Sequence, residues 1–284
     1  MTASVYTRWF EDICLEDVPL VGGKTASLGE LYSALAPQGV RVPNGFALTA
    51  SAYRDALTQA GAWEELRSLL ADLDKRRIAD LAKRARAARA IVYAATNQEN
   101  LRRDITEAYR QLEREYGANV AVAVRSSATA EDLPTASFAG QHESFLNIRG
   151  PDGLVTACRR CFASLFTDRA ISYRIDNGFD HFKVALSVAV MKMVRSDLAA
   201  SGVIFTLDTE SGFRDVVFVT AAYGLGENIV QGTVDPDEFY VHKPTFNGGF
   251  RAVLSRRLGT KEMRMVYAKG RATTRNVATS LAAR

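Results

Sequence analysis

Cysteine, histidine and proline are scarce in this chain, whose 284 residues include only 3 Cys, 3 His and 7 Pro. Three cysteines exclude a disulfide-rich scaffold. The three histidines, scattered along the chain, support neither a zinc site nor a hydrolase triad. No apolar stretch approaches the about 20 residues of a membrane-spanning helix, and the N-terminus lacks a basic-then-apolar secretory pattern. We therefore expect a cytoplasmic protein with reduced thiols and no membrane partner.

The composition is otherwise that of a globular protein, with 47% hydrophobic and 24% charged residues. This length suits one large domain or two smaller lobes. Basic residues are frequent at 75–89, where apolar residues are interleaved at helical spacing, and again at 251–284. We interpret the first run as the solvated face of a helix and the second as a surface segment. The first run lacks interleaved aromatic residues and any zinc or RNP signature, so we expect no nucleic-acid partner.

The periodicity of the sequence predicts an α/β (α+β) protein. Residues 51–116 have helical spacing, with Gly117 as a stop signal. Extended runs are predicted at 40–49, broken by a turn at 43–45, and at 119–124, which would deliver Arg125 to a following loop. After residue 183 the β-branched and aromatic runs at 183–194, 202–206, 215–223 and 238–241 predict strands. A helical first lobe and a sheet-rich second lobe follow from this order.

The segment Gly22-Gly23-Lys24-Thr25 precedes a helical run and is similar to the end of a phosphate-binding loop. The full loop pattern fails, because Val18 stands where its first glycine would be. Two glycines still let backbone N–H groups approach an anion, and Lys24 supplies charge. The alternative is a glycine-rich helix start with a surface lysine.

Arg125 is followed by small and hydroxylic residues, and then by Glu131 and Asp132. A guanidinium beside such a loop suits polyphosphate, since it binds two oxygens at once and small residues let N–H groups close over the ligand. The alternative is an ion pair between Arg125 and Glu131 or Asp132. Taken together, Lys24 and Arg125 favour an anion site.

Two further motifs carry little chemistry. Gly224-Leu225-Gly226-Glu227 lacks the third glycine of a dinucleotide fingerprint and is interpreted as a tight turn between strands. Cys158 and Cys161 form a lone C-x-x-C pair whose helical spacing suits packing better than zinc.

Seven ordered blocks resemble the N-terminal, nucleotide-binding part of the phosphoenolpyruvate synthase (pyruvate, water dikinase) family, and the resemblance runs over nearly all of the chain. They are residues 22–30, 42–46, 124–132, 137–141, 161–169, 201–206 and 224–228. The resemblance implies an ATP-grasp-like, two-lobed nucleotide-binding domain. Residues 1–190 would be the first lobe, with a helical insertion at about 51–116, and residues 191–284 an incomplete second lobe.

The resemblance also assigns eight residues to the nucleotide site. Lys24 and Arg125 match the family's catalytic, phosphate-binding Lys and Arg; Gly140 and Ser144 match its phosphate-covering loop; Met191, Lys192, Met193 and Val194 match the strand against which adenine lies. Ser144 stands where Thr is usual and keeps the hydroxyl. Met191 stands where Gln is usual, which matters little if backbone groups recognise the base.

The family's reaction converts ATP, pyruvate and water into AMP, phosphoenolpyruvate and phosphate through a phosphohistidine. The resemblance therefore implies ATP and Mg²⁺ as cofactors, with the metal-binding acid expected beyond residue 284. The phosphohistidine and pyruvate domains, and a possible homodimer, would belong to the full-length enzyme, so we expect this chain alone to be inactive. Two alternatives stay open: the ATP-binding domain of a rifampin-type antibiotic phosphotransferase, and a non-catalytic nucleotide-binding module.

Overall fold

A computed structural model describes residues 6–129, 132–133, 136–137, 143–268, 270 and 272–283. The helices are α1 (Val18–Val21), α2 (Gly23–Leu35), α3 (Ala50–Gln59), α4 (Ala62–Leu70), α5 (Ile78–Ala95), α6 (Glu99–Tyr116), α7 (Pro151–Ala163), α8 (Asp168–Asp176), α9 (Glu227–Val230) and α10 (Lys243–Asn247). The strands are β1 (Thr7–Trp9), β2 (Gly45–Leu48), β3 (Val122–Ala128), β4 (Asp132–Leu133), β5 (Ala136–Ser137), β6 (Ser144–Ile148), β7 (Leu186–Lys192), β8 (Ala200–Phe205), β9 (Val216–Tyr223), β10 (Asp237–His242), β11 (Val253–Arg257), β12 (Met263–Tyr267) and β13 (Thr274–Ala278). None of the helices in these ranges is long and apolar enough to cross a membrane.

The chain divides into two compact units, 1–193 and 194–284. The first unit contains a five-stranded antiparallel sheet in the order β1-β2-β7-β3-β6. Side chains alternate between the two faces of each strand. One face packs Val122, Val124, Val188 and Val190 into the main hydrophobic core. The other face is where α2 contacts β3.

Helices α5, α6 and α7 supply much of the main core. In α6 the buried residues Leu101, Ile105 and Leu112 recur at helical spacing, as the sequence predicts. In α5 the buried residues include Leu81, Ala85 and other small apolar side chains, while the basic residues 83 and 86 are exposed. The helical run 51–116 and its stop at Gly117 are therefore confirmed.

The second unit is rich in sheet. Its four-stranded antiparallel sheet has the order β11-β10-β9-β8, and β12 pairs with β13. Phe205, Phe218 and Tyr240 stack across three neighbouring strands, with ring centroids 6.3 and 4.7 Å apart. The mixed helix and sheet content is thus as the sequence predicts. An ATP-grasp-like arrangement, and the division into lobes 1–190 and 191–284, stay predictions.

Several predicted element bounds are wrong. Residues 40–44 are not in a strand: β2 begins at Gly45, after Pro43, which has no N–H to donate to a sheet. Residues 119–121 precede β3, because Asn119 has a φ of 57° and ends a turn. The segment after Gly224 is not a tight turn, because it connects β9 to β10 through helix α9. The basic segment after residue 251 is largely exposed but contains three strands.

Candidate phosphate-binding site

Arg125 lies inside β3, which corrects the prediction that it follows a strand. The ladder continues through Arg125, Ser126 and Ser127 to Ala128, since β7 pairs with all of them and β6 pairs with Arg125. Arg125 is the one exposed residue among the seven of β3. Alternation directs it to the face opposite Val124, away from the main core. The strand therefore holds the guanidinium on a rigid element.

Lys24 is exposed in the first turn of α2. The next residue, Thr25, is fully buried, and its N–H donates to Oγ of Ser127 over 3.2 Å. Ser127 and Arg125 share one face of β3, about 7 Å apart along the strand. The start of α2 and Arg125 therefore lie on the same face of the same sheet. Two cations that are 101 positions apart in sequence are carried by directly bonded elements.

The start of α2 is itself suited to an anion. The first N–H groups of a helix have no acceptor within it and carry partial positive charge. The N–H of Gly22 donates to Val18, and that of Thr25 to Ser127. Within the described ranges, no partner accepts from the N–H of Gly23. A phosphate oxygen is the ligand that such a group prefers.

Ser144 pairs directly with Arg125 across β3 and β6. Opposite residues in an antiparallel pair direct their side chains to the same side, with Cβ atoms about 5 Å apart. Ser144 is exposed, so its hydroxyl is available on the face that carries Arg125. Gly140, predicted beside it, lies outside the described residues, as do Glu131 and the side chain of Asp132. Within the described part of the chain, no side chain pairs with the Arg125 guanidinium.

Neighbouring side chains of the strand predicted to contact adenine lie on opposite faces of the sheet. Met191 pairs with Ala123 and Gly45, and its side chain packs with Val21, Ala26 and others on the α2 side. Lys192 lies on the opposite face, where its Nζ is 4.7 Å from the ring centroid of Tyr116. The Lys192 ammonium therefore does not share a face with Arg125. This orientation is not apparent from the sequence.

The backbone of the same segment is mostly occupied. The Lys192 N–H donates to Asn44 and the Met193 N–H to Ala121, over 3.1 and 2.8 Å. The next peptide along the chain joins Met193 to Val194. Among the described residues, neither its C=O nor its N–H has a backbone hydrogen-bond partner. Its C=O and N–H point in opposite directions because the peptide is trans. A base that approaches from one side can therefore form a hydrogen bond with only one of these two groups, the C=O or the N–H.

Asn44, Glu115 and Tyr116 form a polar cluster next to Lys192. The Asn44 N–H donates to the Tyr116 hydroxyl over 3.0 Å, and its Nδ2 donates to Glu115 over 2.9 Å. Burial, together with the hydrogen bond to Glu115, raises the pKa of Tyr116 to about 12. These bonds fix the turn that leads into β2, so the cluster supports the end of β7 rather than supplying a reactive group.

Three buried hydroxyls beneath Lys24 are missed by sequence reasoning. Thr25, Ser127 and Ser187 are each fully buried, and Ser127 pairs with Ser187 across β3 and β7. Among the described residues, neither Oγ1 of Thr25 nor Oγ of Ser187 has a hydrogen-bond partner. The signal that could have found Ser127 is its position two residues after Arg125, on the same face of a strand.

The described thiols of the C-x-x-C pair and the two described imidazoles are explained by burial or by hydrogen bonds to nearby residues. Cys158 and Cys161 are buried free thiols in α7, and burial raises the pKa of each. His181 accepts at Nδ1 from Nε of Arg174 over 2.9 Å, and Nδ1 of His242 bonds to Thr245. Across the described ranges, no group of three or more His, Cys, Asp or Glu residues could hold a metal ion.

Comparison with known proteins agrees with a nucleotide site. Residues 18–284 match the family model described as pyruvate phosphate dikinase, AMP/ATP-binding domain. Phosphoenolpyruvate synthases of Synechocystis sp., Helicobacter pylori and Escherichia coli are 54%, 50% and 52% identical over 275, 278 and 266 residues. These alignments cover 95%, 97% and 94% of this chain but 34% of each relative. The chain thus spans about a third of the length of the curated relatives it matches.

Proposed function

This chain belongs to the AMP/ATP-binding domain family of pyruvate phosphate dikinase, and on that premise we propose that it binds ATP on the α2 face of the first unit's sheet. The phosphates would lie at Lys24, Arg125 and the N–H of Gly23. The observation that carries this proposal is the bond from Thr25 N–H to Ser127 Oγ, because it joins the element bearing Lys24 to the strand bearing Arg125.

Each group has a distinct role in this proposal. Lys24 supplies a compact positive charge at the start of α2, where the helix dipole adds to it. Arg125 binds two phosphate oxygens at once in a fixed orientation, and Ser144 donates one hydrogen bond beside it. Phosphoryl transfer depends mainly on positioning and on neutralising charge. Cations carried by a strand and by a helix terminus, which are rigid elements, suit that requirement.

We further propose that adenine lies against the end of β7, at Met191, Lys192, Met193 and Val194. The Met191 side chain would contact the base, while Lys192 would contribute through its backbone alone, because its ammonium lies over Tyr116. Gly140 stays a predicted part of the phosphate-covering loop.

For the whole protein we propose the activity that the names of its relatives state, the synthesis of phosphoenolpyruvate, with ATP, pyruvate and water as substrates. Magnesium would neutralise the phosphates, but the described carboxylates form no cluster that fits it, so we assign it no ligand in this chain. That residues 1–284 alone are inactive also stays a prediction. Exchange of labelled AMP into ATP by this chain would contradict it.

Calorimetric titration with ATP tests the binding proposal. Lys24→Ala should weaken ATP binding by about tenfold or more, since a hydrogen bond to a charged group contributes about 1.5–3 kcal/mol. Lys83→Ala is the matched control, because Lys83 is exposed on α5 in the same unit. Equal ATP affinities for the two variants, or the absence of ATP binding by the parent chain, would overturn the proposal.

A further inference from the structure

Helix α2 begins without a capping side chain of its own. Its N-cap residue is Gly22, which has a φ of 74° and no side chain to accept from the first turn. Helices normally begin with Ser, Thr, Asp or Asn, whose side-chain oxygen accepts from the N–H two or three positions later. Here the N–H in question is that of Thr25, and the accepting oxygen is Oγ of Ser127. A residue 102 positions away thus caps the helix.

The close approach of the two elements explains why the cap comes from elsewhere. A Cβ at Gly22 would lie 2.3 Å from Oγ of Ser127 and 2.5 Å from its backbone O. Any side chain at the N-cap would therefore collide with β3. Glycine lets the helix start touch the strand, and Ser127 then satisfies the N–H group that the missing side chain leaves without a partner.

This bond also connects the elements that carry the two cations. From Lys24 the connection passes through the N–H of Thr25 to Oγ of Ser127, and from Ser127 two residues back along β3 to Arg125. We propose that Ser127 is a positioning residue that fixes the separation of Lys24 and Arg125 for a polyphosphate. The inference rests on the proposed function, because it needs Lys24 and Arg125 to bind one ligand.

The chain offers a closely matched comparison in Ser187. Ser127 and Ser187 are cross-strand partners on the same face, and both are fully buried. Ser127 accepts from Thr25, whereas Oγ of Ser187 has no hydrogen-bond partner in the described part of the chain. Removing either hydroxyl creates the same small loss of volume. Only Ser127→Ala removes the cap of α2.

The first readout does not depend on nucleotide. Amide hydrogen exchange in the intact chain should show the Thr25 N–H protected in the parent and in Ser187→Ala. In Ser127→Ala the exchange of this amide should be at least about tenfold faster, since no helical acceptor replaces the lost oxygen. Equal protection of Thr25 in the two variants would refute the capping role.

The second readout is ATP affinity measured by calorimetry. Ser127→Ala should weaken ATP binding by about fivefold, and Ser187→Ala by less than about twofold. A fivefold effect lies within the range of interaction energies measured between residues of one hydrogen-bonded network. In the Ser127→Ala background, Lys24→Ala should cost less than it does in the parent. A merely structural role would leave that cost unchanged and would overturn the inference.

The outcomes separate the two proposals. If Lys24→Ala binds ATP as the parent does, the proposed function fails. If Lys24→Ala weakens binding while Ser127→Ala and Ser187→Ala behave alike, only the positioning role fails. If Ser127→Ala does not fold, Ser127→Cys replaces it, because the thiol is a weak acceptor of similar size. The ATP affinity and the Thr25 exchange rate of Ser127→Cys should lie between those of the parent and those expected for Ser127→Ala. Parent-like values in Ser127→Cys would contradict the inference.

Discussion

Arg125 and Ser144 are direct cross-strand partners in the sheet of the first unit, in the antiparallel pair of β3 and β6. The pairing directs a guanidinium and a hydroxyl to the same face, with Cβ atoms about 5 Å apart. Both residues are exposed, although most of β3 is buried. The sheet therefore presents two adjacent hydrogen-bond donors at one position.

Ser144 gives the first prediction. Ser144→Ala should weaken ATP binding by about tenfold, because a hydrogen bond to a charged phosphate contributes about 1.5–3 kcal/mol. Ser144→Thr keeps the hydroxyl and adds a β-branched side chain that suits a strand, so it should bind ATP as the parent does. Calorimetric titration measures both affinities. Ser255→Ala, at an exposed serine in β11, is the control. If Ser144→Ala and Ser255→Ala bind ATP equally, the hydroxyl has no role in binding.

Gly22 gives a prediction about stability. A Cβ there would lie 2.5 Å from the backbone O of Ser127, and the residue has a positive φ. Gly22→Ala should therefore lower the free energy of unfolding by about 3 kcal/mol or more, since the contact involves backbone that cannot rotate away. Urea unfolding measures this loss.

Gly39→Ala separates strain from collision in that experiment. Gly39 also has a positive φ, of 85°, but nothing lies within 4 Å of a Cβ built there. This substitution should cost about 1 kcal/mol, from backbone strain alone. Equal losses for the two variants would mean that α2 does not approach β3 as closely as the structure shows.

His181 gives a prediction about pH. Burial, and then the charge of Arg174, lower the pKa of His181 from 6.5 to about 4. Between these values the unfolded chain binds a proton that the folded chain does not, so the free energy of unfolding should fall as the pH is lowered from about 6.5 toward about 4. Urea unfolding across this window should show a shallower decline for His181→Gln than for the parent. The same slope in both proteins would show that His181 titrates normally in the folded state.

The helices were largely predictable from local signals. Gly22 and Gly23 precede the regular spacing of α2, and Gly117 follows α6, so both bounds agree closely with the structure. These signals are local because helical hydrogen bonds join residues four positions apart. The bounds of β3 were less predictable, because only its pairing with β6 and β7 shows that Arg125 lies within the strand.

In the candidate site, too, local sequence signals identify some residues, and only the three-dimensional contacts identify others. Lys24 and Arg125 could be proposed from residue type and neighbouring sequence. The position of Ser127, two residues after Arg125, is a sequence signal for the same face of the strand, but its bond to α2 could not be predicted, because it joins residues 102 positions apart. Lys192 illustrates the converse: its sequence position suggests the nucleotide, whereas its ammonium lies over Tyr116 on the other face of the sheet.

The relative affinities for ATP and AMP test the central claim most directly. If Lys24 and Arg125 both bind the phosphates that ATP has and AMP lacks, Lys24→Ala and Arg125→Ala should each weaken ATP binding by about tenfold or more. Each variant should leave AMP affinity within about twofold of the parent, because the missing phosphates carry the charge that the cations neutralise. Calorimetric titration of both nucleotides, with Lys83→Ala as the control, measures these ratios. Equal losses for ATP and AMP, or no loss for either, would contradict the account.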